Sequence, residues 1–379
     1  MDRVYLWAHP DWPRWRFALD ELLPRIAEVS RLQGLLRGRL ADVGFATQDQ
    51  ASLLALTEDV LQTSAIEGEF LDRAAVRSSL ARRLGVDIGA LAPVDRRVEG
   101  VVALVLDATS QVDAPLTRER LQGWHAALFP TGHSGLSRIR VGVWRDDADG
   151  PMQVVSGPAG RLRVHFQAPP AERVDGEMER FLAWVNADEP TLPLLKAGIA
   201  HLWFLTVHPF EDGNGRIARA IGDWLLARAD RSPQRYYSLS AQIERERRDY
   251  YEILETTQRG TPDLTRWLAW FLDALTRALQ QAQRTVDRVL AKSRFWAHAA
   301  GTPLNSRQLK LLNRLLDGFE GRLTSSRWAT IASCSKDSAL RDIQDLLDRG
   351  LLQRLPGGGR ASAYALADSA SPDGAVDPA

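Results

Sequence analysis

Residues 208–219 read HPFEDGNGRIAR, and the interpretation of the whole chain starts from this stretch. It follows an apolar segment, LLKAGIAHLWFLTV, and precedes a second one, IARAIGDWLLARA, both with helical spacing. Pro209 cannot continue the first helix, because it lacks an N–H and clashes with the preceding turn. The sequence therefore predicts a tight loop between two packed helices, with His208 at the end of the first.

The backbone of this loop is suited to binding anions. Gly213 and Gly215 permit backbone angles that are closed to other residues, so consecutive N–H groups turn toward one point. The second helix adds its unpaired N-terminal amides and the positive end of its dipole. The side chain of Asn214 can donate to a phosphate oxygen. We therefore expect the loop to hold phosphate groups.

The charged side chains of the loop indicate phosphoryl-transfer chemistry. Asp212 offers an oxygen ligand for Mg²⁺, which favours carboxylate and phosphate oxygens. Arg216 and Arg219 are three residues apart, so both can reach a polyphosphate from one helix face. A histidine beside such a site is a natural general base for an incoming hydroxyl group. A tight turn without chemistry is the alternative, but packing alone does not require this set of polar residues.

The stretch resembles the Fic family signature, His-x-Phe-x-(Asp/Glu)-Gly-Asn-Gly-Arg-x-x-Arg, at every specified position. The resemblance implies a helical Fic fold and transfer of AMP from ATP to a Ser, Thr or Tyr hydroxyl of a protein. It implies that His208 deprotonates the acceptor and that Asp212 holds Mg²⁺. It assigns the phosphates of ATP to the rest of the loop, namely Gly213, Asn214, Gly215, Arg216 and Arg219.

Two further segments take their interpretation from this resemblance. Short β-prone runs between residues 139 and 170 (RVGVW, MQVV and RLRVHF) would form a hairpin flap that lines up the target side chain. The run RRDYYEILETTQRG resembles the adenosine side of the family's site. It nominates Tyr250, Tyr251 and Gln258 as adenosine contacts.

Residues 62–69, QTSAIEGE, resemble the inhibitory signature of the family, Ser/Thr-x-x-x-Glu-Gly/Asn, through Thr63, Glu67 and Gly68. Thr63 and Glu67 are one helical turn apart, so both can face the same neighbour. The resemblance implies that Glu67 pairs with Arg219 and displaces the γ-phosphate of ATP. We therefore expect autoinhibition by Glu67. Removal of AMP, with Glu67 positioning water, stays open as the reverse reaction.

The fold class predicted from these patterns is mainly α, because most of the sequence has helical spacing. We expect an N-terminal helical domain with the inhibitory motif at 1–92 and a Fic domain with its β-hairpin flap at 93–292. A winged helix-turn-helix domain is predicted at 300–367, with helical runs over 305–316 and 336–348 followed by two short strands. Residues 368–379 are small, acidic and proline-bearing, which predicts a disordered tail.

The predicted winged helix raises a second function, a DNA-binding transcriptional regulator whose Fic core senses a nucleotide. Lys336 and Arg341 lie on its recognition helix, and Arg354 and Arg360 flank its wing, where they can contact DNA phosphates. The same helix carries acids that would face the duplex unfavourably: Asp337, Asp342, Asp345 and Asp348. DNA contact and protein docking therefore both stay open for this domain.

Composition limits the remaining classes of protein. Lys+Arg and Asp+Glu both number 48, so the chain as a whole shows no preference for nucleic acid or anionic membranes. The single cysteine, Cys334, excludes an intramolecular disulfide framework and argues against structural zinc. The sequence has neither a signal peptide at its N-terminus nor ~20 consecutive apolar residues. We expect a cytoplasmic enzyme that uses ATP and Mg²⁺ on a protein substrate and makes no membrane contact; self-association stays open.

Overall fold

The computed structural model describes residues 5–41, 43–148, 150–157, 161–188, 191–230, 232, 234–316, 319, 321–356 and 362–367. The chain divides into two compact units, Met1–Ala282 and Gln283–Ala379. The first unit therefore holds both the predicted N-terminal domain and most of the predicted Fic domain. The predicted tail and Arg360 lie outside the described residues.

The first unit is mainly helical, as its spacing predicts. A short 3-10 helix (Leu6–Ala8) precedes α1 (Leu19–Ala41), α2 (Phe45–Ile66), α3 (Arg73–Leu84), α4 (Arg96–Ser110), α5 (Arg118–Leu128), α6 (Ala171–Asn186), α7 (Pro193–Val207), α8 (Asn214–Asp230), α9 (Leu239–Arg245), α10 (Arg247–Gln258) and α11 (Thr265–His298). Side-chain caps fix several starts: Asp95 accepts from the N–H of Val98 at 2.9 Å, and Thr117 from that of Arg120 at 3.1 Å. Across the described part of the chain, no helix is long and apolar enough to span a bilayer.

The central element of this unit is α7. Its sequence is apolar all round, which is typical of a helix buried on every side. Nearly all of its residues are buried, and it packs against α8 and α6. The loop that joins α7 to α8 is therefore anchored at both ends in the core. That anchoring places residues 208–219 on a rigid support.

Two small hairpins lie between α5 and α6. Strands β1 (His133–Ser134) and β2 (Ser137–Arg138) form the first, and β3 (Gln153–Ser156) and β4 (Arg163–Gln167) form the second, both antiparallel. The second hairpin supplies the predicted flap. The run RVGVW at 140–144 is not a strand, contrary to expectation, because its backbone is used in loop contacts with the site described below.

The second unit has its own apolar core, which includes Trp328, Ile343 and Tyr364. Its elements beyond α11 are α12 (Ser306–Leu316), β5 (Leu323–Thr324), α13 (Ser325–Ala332), α14 (Lys336–Asp348), β6 (Leu352–Arg354) and β7 (Ala363–Leu366). The strands form an antiparallel sheet in the order β5-β7-β6. Helix α13 and strand β5 were not among the predicted elements. The winged helix assignment itself stays a prediction.

Candidate active site

His208 ends α7 in a left-handed backbone conformation, with φ 52° and ψ 59°. Its Nδ1 lies 3.2 Å from the carbonyl oxygen of Leu205, so we assign the ring proton to Nδ1. Nε2 then keeps its lone pair. Burial lowers the pKa of His208 to about 4, although the bond to Leu205 opposes this shift. The ring is therefore neutral at pH 7, which is the form that a general base needs.

Arg145 holds the backbone around His208 in place. Its Nε donates to the carbonyl oxygen of His208 at 2.8 Å, and its backbone N–H donates to that of Pro209 at 2.9 Å. Its Nη1 pairs with Asp147 at 2.8 Å, and the residue is only 3% exposed. The sequence does not predict this role, because a single arginine next to a β-prone run carries no signal for it.

Asn214 closes the loop through its side chain. Its Oδ1 accepts from the N–H of Phe210 at 3.0 Å, and its Nδ2 donates to the carbonyl oxygen of Phe210 at 2.8 Å. Asn214 is 2% exposed. The amide thus shapes the loop in this structure, and its predicted donation to phosphate stays a prediction. The backbone N–H groups at the start of α8 have no partner within the helix and can serve an anion.

Gly213 is required at its position for two reasons. It has φ +77°, and a Cβ there would lie 2.8 Å from Cε2 of Phe129. A left-handed conformation is costly for other residues, and the second distance leaves no room for a side chain. The backbone turn predicted from the two loop glycines thus has a steric basis at this position.

Asp212 is the carboxylate that the sequence predicts as the metal ligand. Its Oδ1 accepts from the N–H of Gly213 at 2.6 Å, and its Oδ2 accepts from the hydroxyl of Ser134 in β1. The neighbouring Glu211 instead accepts from the N–H of Arg140 at 3.0 Å. Among the residues that the structure describes, no group of three or more His, Cys, Asp and Glu could form a metal site. One carboxylate suits Mg²⁺ that arrives with phosphate oxygens and waters as its other ligands.

Arg219 makes the predicted pair with Glu67. Its Nη2 donates to Oε1 of Glu67 at 2.7 Å, and its Nε donates to the hydroxyl of Thr63 at 2.8 Å. Burial is the largest effect and opposes the charge on Arg219, but Glu67 together with Tyr250 and Tyr251 outweighs it, so the pKa of the guanidinium is raised. A Cβ on Gly215 would lie 2.1 Å from Oε1 of Glu67. The carboxylate therefore lies directly against the start of α8, where an anion would bind.

The turn that carries Glu67 continues to a second acid. Gly68 has φ +82°, which lets the chain reverse after α2. Glu69 then accepts from Nη1 of Arg216 at 2.8 Å. Glu69 was not among the predicted site residues, although an acid two residues after Glu67 is visible in the sequence. We call Glu67, Gly68 and Glu69 the covering turn, because its two carboxylates contact both arginines of the loop.

The three residues predicted to bind adenosine differ in accessibility. Tyr250 is 1% exposed and its hydroxyl lies 2.9 Å from Nε2 of His201; Gln258 is 3% exposed and donates to Thr206 at 3.4 Å. Both side chains are hydrogen-bonded within the core. Tyr251 is 39% exposed, and its hydroxyl donates to the carbonyl oxygen of Ile66 at 3.4 Å. Adenosine contact stays a prediction for all three residues, and Tyr251 is the most accessible of them.

Two family models match the chain. The first, described as the Fic/DOC family, matches residues 115–226, and the second, a domain of unknown function (DUF4172), matches residues 5–86. The chain is 30% identical over 146 residues to the protein adenylyltransferase Fic of Nematostella vectensis, which is 36% of this chain and 31% of that protein. It is 33% identical over 105 residues to the protein of that name from Culex quinquefasciatus, 27% of this chain and 19% of the relative. The chain thus spans less than a third of each relative.

Solved structures share the fold. A Fic family protein from Desulfovibrio desulfuricans G20 aligns with a TM-score of 0.54 at 20% identity, over 91% of this chain and 95% of that one. A Fic domain containing signaling protein from Bacteroides thetaiotaomicron aligns with a TM-score of 0.50 at 18% identity, over 70% of this chain and 96% of that one. The complete loop signature and the family match over residues 115–226 show that this part of the chain is a Fic/DOC family domain, and the solved structures show that the chain shares the fold of such proteins.

Proposed function

We propose that the protein transfers AMP from ATP to a hydroxyl group of a protein substrate. The observation that carries this proposal is the position of His208: a neutral ring with Nε2 available, at the first residue of an anion-binding loop. General base catalysis needs a neutral histidine ring. Phosphoryl transfer needs groups that stabilise negative charge, as the anion-binding loop does. The relatives named protein adenylyltransferase Fic support the same reaction.

The loop residues divide the work of this reaction. Backbone N–H groups of Gly213 to Gly215 bind the α-phosphate, and Arg216 and Arg219 bind the phosphates beyond it. Asp212 would hold Mg²⁺, which supplies positive charge to the pyrophosphate leaving group. Nε2 of His208 takes the proton of the acceptor hydroxyl while its oxygen attacks the α-phosphorus. The bond from that phosphorus to the oxygen bridging to the β-phosphate breaks, and pyrophosphate leaves.

The resting protein is autoinhibited in this proposal. Glu67 holds Arg219, and its carboxylate lies against Gly215, so ATP must displace it before its phosphates can bind. The fraction of molecules with Glu67 displaced then limits the rate of transfer. The reverse reaction, removal of AMP by a water that Glu67 positions, is the alternative use of the same residues.

The test is the origin of the transferred group. The protein is incubated with Mg²⁺ and ATP labelled on either the α- or the γ-phosphate, and incorporation of label into protein is followed. We expect label from α-labelled ATP only, with Glu67→Gly included to raise the signal. Label from γ-labelled ATP, or none from either ATP with the folded Glu67→Gly variant, would contradict AMP transfer. Loss of AMP from a pre-labelled target measures the reverse reaction.

One observation favours DNA binding by the second unit as a second candidate function. Asp342, an acid predicted to oppose DNA, accepts from Nε of Arg307 at 2.8 Å and is 5% exposed. Asp345 accepts from Gln308 at 2.8 Å. Both carboxylates are therefore directed into contacts with α12. The basic side chains Lys336, Arg341 and Arg354 remain exposed.

This candidate function is tested by binding of a mixed-sequence DNA duplex over a range of salt concentrations. We expect affinity to fall with salt, and Arg341→Ala to reduce the salt slope by about one phosphate contact. Arg31→Ala, on α1 of the first unit, is the matched control and should leave the slope unchanged. An absence of binding at low salt, or equal slopes for all three proteins, would exclude this function.

A further inference from the structure

We propose that Glu69 determines how strongly the site discriminates against long phosphate chains, because it competes with the distal phosphates of a nucleotide for Arg216. The inference rests on the proposed function and concerns the phosphate specificity of the same site. It assigns a role to the second carboxylate of the covering turn, which the family signature does not include.

Arg216 is buried and uses only part of its hydrogen-bonding capacity. Its side chain is 2% exposed, and its guanidinium lies 5.0 Å from the centre of the Phe129 ring. Glu69 is its only hydrogen-bonding partner within the described residues, and its buried Nε has none there. Buried guanidinium groups normally use their N–H donors. Arg216 therefore has spare capacity for an anion at the start of α8.

The ion pair between Glu69 and Arg216 is weak. The side chain of Glu69 is 42% exposed, so solvent competes for its carboxylate. Ion pairs with an exposed partner contribute little to stability. A polyphosphate carries more charge than one carboxylate and can bind a guanidinium through two oxygens. Glu69 is therefore displaceable by a phosphate, at a modest cost in binding free energy.

Glu69 and Glu67 differ in the groups that they contact. Arg219 is held by Thr63 as well as by Glu67, through both the hydroxyl and the carbonyl oxygen of Thr63. Glu67 also lies against Gly215, where the first phosphate would bind. Within the described residues, the carboxylate of Glu69 is hydrogen-bonded to Arg216 alone, and its backbone N–H donates to the carbonyl oxygen of Ser64. Removing its charge should thus affect the distal phosphates and leave a monophosphate unaffected.

The experiment measures binding rather than turnover, by calorimetry on the full chain. The ligands are ATP, AMP and inorganic tripolyphosphate, and the proteins are wild type, Glu69→Gln, Glu67→Gln, the double variant and Glu28→Gln. Glu28 pairs with Arg31 on α1 and is the matched control for loss of an exposed ion pair. We expect Glu69→Gln to bind ATP and tripolyphosphate about twofold to fivefold more tightly, as for other exposed pairs, with AMP affinity unchanged.

The possible results separate this inference from the proposed function. Equal tightening for AMP would show that Glu69 acts on the whole site and would overturn the specificity role. The inference also fails if Glu67→Gln tightens tripolyphosphate binding but Glu69→Gln changes nothing in either background. If the folded double variant does not bind tripolyphosphate at all, the phosphate site of the proposed function fails with it. Glu69→Ala, with a thermal melt, provides a second test of the same side chain.

Discussion

The phosphate loop (residues 208–219) and the covering turn meet at the start of α8, but they are held in place by different kinds of contact. The loop is fixed from within the core, by the Asn214 amide and by Arg145, both nearly inaccessible to solvent. The covering turn reaches the arginines through two carboxylates that are 28% and 42% exposed.

This difference explains how the loop can be preorganised while the covering turn occupies its arginines. Buried hydrogen bonds are costly to break, because each lost partner leaves a polar group without water. The ion pairs of the covering turn are easier to replace, because each carboxylate is partly exposed to water and an incoming phosphate can take its place on the buried arginine. The phosphate loop is therefore preorganised, and the covering turn is the removable part.

The largest effect on the rate of AMP transfer is expected from His208, the proposed general base in the phosphate loop. His208→Ala should lower AMP transfer by about 10²–10⁴-fold, because the acceptor hydroxyl loses its proton acceptor. ATP affinity should stay close to that of wild type, since the loop amides and arginines are unchanged. The measurement is label incorporation beside calorimetry. Near-normal labelling would remove His208 from the mechanism.

The rigidity of the loop is tested by Asn214→Ala. Loss of the amide leaves the N–H and carbonyl of Phe210 buried without their partner, which should cost about 1–3 kcal/mol in the free energy of unfolding. Urea denaturation measures this change. Gln153→Ala, an exposed amide on β3, is the control and should change stability by less than about 0.5 kcal/mol. If the two variants are equally stable, the loop is not held by Asn214.

The pH dependence of stability should show the contribution of the buried core beneath the loop, where His201 lies. Burial lowers the pKa of His201 to about 3, so this histidine stays neutral in the fold and takes up a proton only on unfolding. Stability should therefore fall as pH drops below the unfolded value of about 6.5, by about 2 kcal/mol from His201 between pH 7 and 5. His201→Asn should flatten the stability curve by that amount. An unchanged slope would show that His201 is protonated in the folded protein.

The parts of the site that lie close together in the chain could be predicted from the sequence. The loop residues from His208 to Arg219 lie within one motif, and Glu67 and Thr63 are separated by one helical turn. Spacing placed Thr63 beside Glu67, whereas the pairing of Glu67 with Arg219 was predicted from the family resemblance and is present. Patterns of this kind survive in sequence because spacing alone places the side chains together.

Contacts between remote segments were not predictable in this way. Arg145 and Ser134 reach the loop from residues far along the chain, and no spacing rule connects them with it. Tyr250 and Gln258, which are predicted to contact adenosine, are buried in the core, and burial depends on packing that a sequence pattern does not show. The buried role of Asn214 was likewise hidden, because an amide suits both phosphate and a loop backbone.

The most direct test of the central claim is the initial rate of AMP incorporation from α-labelled ATP by Glu67→Gly relative to wild type. We expect a rate about tenfold higher for Glu67→Gly, since ~1.4 kcal/mol of bias toward the covered state is worth that factor. Arg219→Ala should not be faster, because it releases Glu67 but also loses a phosphate ligand. A folded Glu67→Gly variant that binds ATP and labels no faster than wild type would contradict the claim that the covering turn restrains the site.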